Sequence, residues 1–112
     1  MSLGYVGMCR KVAEDDRMVI YSYAGENWND GGKSKHGDSH LQDGFFTIHK
    51  DFFGVDLDGR IRTGKIIIDR ECKNAFHKPG VLCDYIAWQL LNHIFAQFEK
   101  NRHFPEQKTF IQ

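Results

Sequence analysis

An excess of charge of either sign is missing from this chain: 15 lysines and arginines stand against 15 aspartates and glutamates. Nucleic-acid modules normally carry a basic excess or stripe, and an anionic membrane surface selects the same feature. Neither partner is expected. No apolar run reaches the roughly 18 residues that a membrane-spanning helix needs. Cysteine is sparse and odd in number, with Cys9, Cys72 and Cys83 far apart and no C-x-x-C pair. Secreted disulfide scaffolds use dense, even sets, so these read as reduced thiols buried in a core. The N-terminal MSLGYVGMCRK has no basic region followed by an apolar core. No secretory signal is expected, and the cytoplasm is the expected compartment.

What is present suits one small domain. A chain of 112 residues reads as a single domain spanning 1–112. Nine phenylalanines provide large side chains for one core. Residues 4–12 and 17–24 are β-rich runs around a short polar spacer, which predicts a hairpin. On the second run Val19, Tyr21 and Tyr23 share a face, while Met18, Ile20 and Ser22 share the other. Both faces are partly apolar, so a central or well-covered strand is expected. Phe45 to Phe53 resumes the strand pattern, Asp56-Leu57-Asp58-Gly59 reads as a tight turn, and Arg60 to Asp69 as its partner strand.

From Val81 to about Asn101 the period changes to that of a helix. Ile86, Leu90, Ile94 and Phe98, with Ala87, Leu91 and Phe95, fall on one arc. Lys108 to Ile111 offers a short last strand. The expected fold is therefore α+β: an antiparallel β-sheet of four to five strands, made from two hairpins. One long C-terminal amphipathic helix packs on one face. Expected core residues include Val6, Met8, Val19, Tyr21, Tyr23, Phe46, Ile48, Ile66 and Ile68 from the strands.

Between the strand runs lies a long aperiodic polar interval, Glu26 to Gly44, with sequence ENWNDGGKSKHGDSHLQDG. Connections of this length are uncommon in small domains and often functional. Gly31-Gly32-Lys33-Ser34 resembles a phosphate loop but fails on spacing, because Asn27 stands where the first glycine belongs. Neither Asp-Gly pair completes a calcium loop: Lys65 falls at the twelfth position of one, and Gly37 at the twelfth of the other.

Two candidate sites remain in the interval. Trp28 is an indole ringed by Glu26, Asp30 and, further on, Asp38. Tryptophan is enriched at binding hot spots, so Glu26, Trp28, Asp30 and Asp38 are the expected contacts for another protein. In an extended segment His36, Asp38 and His40 share a face, and imidazole with carboxylate is a sound ligand set for zinc. Cys72, His77 and Cys83 lie close in sequence, but no catalytic signature is complete.

The preferred expectation is a small non-enzymatic protein-binding module: an inhibitor, an immunity-type protein or a regulatory protein. It needs no cofactor and no catalytic residue. The alternative is a metal-binding protein or metal-dependent hydrolase using His36, Asp38 and His40. The apolar surplus at Tyr5, Phe45, Phe52 and Phe53 also offers a homodimer face.

Overall fold

Period-two runs build the sheet and a 3.6-period run builds the helix that covers it. The computed structural model describes residues 5–27, 43–51, 56–73 and 75–111. In chain order the elements are β1 (Tyr5–Glu14), β2 (Met18–Asn27), β3 (Gly44–His49), α1 (Leu57–Arg62), β4 (Ile66–Arg70), α2 (Tyr85–Asn101) and β5 (Gln107–Ile111). The five strands form one antiparallel sheet in the order β4-β3-β2-β1-β5. The α+β architecture and the antiparallel sheet are thus as expected. β2 lies at the centre, which explains the apolar character of both its faces.

The β1–β2 hairpin is closed by Asp15, whose carboxylate accepts hydrogen bonds from the backbone N–H of Arg17 at 2.8 Å and of Met18 at 2.9 Å. An aspartate that satisfies its own turn in this way fixes the register. A bulge between Lys11 and Ala13 precedes the turn in β1.

The second hairpin differs in its connection. β3 and β4 are antiparallel neighbours, but Asp56–Gly59 does not form a tight turn. Asp56 caps α1 instead, accepting a hydrogen bond from the Gly59 N–H at 2.8 Å. An acid three residues before a glycine serves helix capping as well as it serves a turn, and here capping prevails. The partner strand consequently begins at Ile66. Phe52 and Phe53 lie outside the described residues.

The core joins one sheet face to α2. Val19, Tyr21 and Tyr23 from β2, Phe46 and Ile48 from β3, and Ile66 from β4 are buried with Ile86, Leu90, Leu91, Ile94 and Phe95. Ile68 and Phe98 pack against this cluster, partly buried. Met8 is not part of it. Cys9 occupies the core-facing position of β1, so the alternation is one residue out from expectation and places Met8 on the opposite face.

Both ends of α2 are tied to β2. Asp84 is the N-cap, fully buried, and accepts from the Ala87 N–H at 2.9 Å and from the Tyr23 hydroxyl at 2.6 Å. Beyond the other end, the Tyr21 hydroxyl donates to the Pro105 carbonyl at 2.6 Å. Close approach is allowed at Gly25, where a β-carbon would lie 2.8 Å from Ile86 Cδ1. No helix among the described residues is long and apolar enough to cross a membrane.

Candidate functional site: the helix-free face of the sheet

Trp28, Asp30, His36, Asp38 and His40 lie outside the described residues. Glu26 is not a loop residue: β2 runs on to Asn27, and Glu26 stands opposite Val6 in the ladder. Ladder pairing with β1 carries the strand past the point where the sequence turns polar.

The cysteines are packing residues. All three are free and buried. Burial pushes the Cys9 thiol up to about 12, and the Cys83 thiol likewise to about 12. Only the thiolate is a nucleophile, so neither is activated near neutral pH. The His77 imidazole meets the Glu71 carboxylate at 2.7 Å on the exposed surface. Among the described residues no group of three His, Cys, Asp or Glu side chains is placed to hold a metal ion.

The remaining feature is the sheet face opposite α2. Strand alternation puts Val6, Met8, Arg10 and Val12 of β1 on that face, with Ile20, Ser22 and Ala24 of β2. Phe45 and Thr47 of β3 and Ile67 and Asp69 of β4 continue it. On β5 the register partners of Arg10 and Met8 are Gln107 and Thr109. A solvated antiparallel face normally alternates to polar residues. This one keeps a large apolar fraction, although Val6, Ser22, Ala24 and Thr47 on it are buried. Of the three exposed large apolar side chains among the described residues, Val12 (52%), Ile67 (43%) and Leu82 (41%), the first two are here.

The face is also shaped. Over β1 and β5 it holds a shallow concavity of about 490 Å³, walled by Met8, Arg10, Val12, Ser22, Gln107 and Thr109. Toward β4 the Thr47 hydroxyl donates to Asp69 Oδ2 at 2.7 Å, holding a carboxylate beside Ile67. Apolar residues on this face thus lie between an arginine on one side and an acid on the other. No protein-family model matches the chain, and neither a curated protein nor a solved structure matches it.

Sequence reasoning missed Met8 and Val12 as surface residues. Arg10 was the available signal, since it shares their face and a central arginine is rarely buried unpaired.

Proposed function

We propose that this protein is a small non-enzymatic protein-binding module, of inhibitor, immunity or regulatory type, that presents the helix-free face of its sheet to another protein. The observation that carries the reading is the exposure of Val12 and Ile67 on a face that α2 leaves uncovered. Glu26, Trp28, Asp30 and Asp38 are proposed as further contacts for the same partner. Free, buried cysteines suit a reducing compartment, and the cytoplasm is where the partner is to be sought.

Photo-crosslinking groups placed at Val12 and Ile67 test the reading in cells that make the protein. A discrete adduct with one other protein is expected from both positions, and none from Ala96, exposed on α2. Changing Trp28, Asp30 and Asp38 together to alanine should abolish that adduct. An adduct of twice the monomer mass would assign the face to a second copy and overturn the reading. So would an adduct that survives the triple change.

The same face sets a second expectation. Val12→Lys with Ile67→Lys should leave stability within about 0.5 kcal/mol of the parent, because exposed positions bear little packing energy. Partner affinity should fall about tenfold or more, through a charge buried at the interface. Urea unfolding and a binding titration with the captured partner check the two halves.

A further inference from the structure

The end of α2 carries a second concavity, of about 290 Å³, with different chemistry. Lys11, Lys50, Arg102 and His103 line it, over the rings of Phe98 and Phe104. Those rings stack at 4.5 Å and form an apolar wall. One lining carboxylate is present, Glu14, and two lysines already share it: Lys11 Nζ at 2.6 Å and Lys50 Nζ at 2.8 Å. Lys11 also reaches the exposed Glu106 at 3.2 Å. The side chains of Arg102 and His103 have no hydrogen-bond or ion-pair partner among the described residues. In a chain with no net charge, this is a local cationic excess.

Arg102 is unusual in its backbone too. It caps α2 at φ 62°, ψ 23°, the one positive-φ residue among the described residues that is not glycine. Glycine or asparagine is favoured at such a position, because a β-carbon is strained there. A cation near a helix C-terminus complements the dipole, but Lys100 in the last turn already supplies one. Dipole and backbone together therefore leave the arginine unexplained. Its side chain stands at the rim of the concavity.

We propose that this concavity is a binding site for a dianionic oxyanion, inorganic phosphate or a phosphate monoester, held by Arg102 and Lys50 with His103 as a further donor. The donors come from separate segments, one after β3 and one at the end of α2. That arrangement suits a compact anion with several acceptor oxygens better than a single planar carboxylate. Glu14 orients the lysines and opposes the anion, so the expected Kd is about 1 mM.

Amide chemical shifts of the full chain, titrated with inorganic phosphate at constant ionic strength, test the site. Saturable shifts are expected at Lys50 and across 98–104. Arg102→Gly should raise the melting temperature by about 4 °C by removing the left-handed strain, while weakening phosphate about tenfold. Stability and binding then move in opposite directions, which a purely structural arginine does not produce. Lys50→Met, which leaves the helix cap itself unchanged, should weaken binding without the melting gain, and Glu14→Gln should tighten it. Phosphate shifts that match those of chloride overturn the proposal. Parent affinity in both Arg102→Gly and Lys50→Met does the same.

Discussion

Changing Asp84 to alanine is expected to lower the unfolding free energy by about 3 kcal/mol, the sum of a lost helix cap near 1 and an orphaned buried donor near 2. The donor is the Tyr23 hydroxyl, which gives its proton to Asp84 Oδ2 and accepts from the Cys72 N–H at 3.2 Å. Removing Asp84 leaves that proton without a partner inside the core. Relief from burying a carboxylate works in the opposite direction and keeps the cost from being larger. Urea unfolding should show a lower midpoint at unchanged slope. Tyr23→Phe breaks the same contact from the other side. A double-mutant cycle should return a coupling of about 1–2 kcal/mol, and additive losses would show that the contact carries no energy.

The same residue sets a pH signature. Burial raises the Asp84 carboxyl above its ordinary 3.8, against the hydrogen bonds from Tyr23 and Ala87 that pull it down. A carboxyl whose folded value exceeds its unfolded one favours the fold most when protonated. Its contribution is complete below pH 3.8 and is lost as pH rises through the folded value. Glu14 behaves in the opposite sense. Hydrogen bonds from Lys11 and then Lys50 hold it below 4.5, so its stabilisation is present above that pH and lost on acidification. Asp84→Asn should therefore flatten the stability profile on the side above pH 3.8, and Glu14→Gln on the side below 4.5. Urea midpoints measured across pH 3–7 separate the two, because the slopes have opposite signs.

How much of this was legible follows from what each signal reports. Alternation at Val19, Tyr21 and Tyr23 identified the core face of β2, because the central strand is buried by its own pattern. The 100° arc through Ile86, Leu90 and Ile94 identified α2. Alternation failed in β1 for Met8, which shares the face away from the helix with Val6, buried as expected, while Cys9 and Lys11 take the face toward it. Both faces contain apolar residues, and the bulge between Lys11 and Ala13 shifts by one residue any alternation counted back from the turn. Asp56–Gly59 failed because one short motif serves two local structures, and only the packing of Leu57 and Ile61 on the core selects the helix. The functional reading moved for the same reason. Trp28 and its acidic neighbours drew notice as a composition. Val12 and Ile67 become a candidate contact only when the sheet order shows which face α2 leaves open.

Changing Phe46 to alanine is expected to be the most damaging single substitution, at about 4 kcal/mol. The ring has no exposure and stands between Tyr21, centroids 5.5 Å apart, and Tyr23, 5.2 Å apart. The cost of such a cavity depends on whether its walls collapse. Here they are pinned. Tyr21 is held at its hydroxyl by the Pro105 carbonyl beyond α2, and Tyr23 by Asp84 at its start. Neither phenol can swing into the gap without breaking a buried hydrogen bond, so the void persists and the loss falls high in the usual range. Phe46→Leu refills part of the volume and should cost about 1.5 kcal/mol. If Phe46→Ala costs only about 1 kcal/mol, the tyrosines have closed over the void. The coupling between Tyr23 and Asp84 should then vanish in that variant. If the coupling survives a small loss, the pinning account fails, and the ends of α2 are held by something other than the two tyrosines of β2.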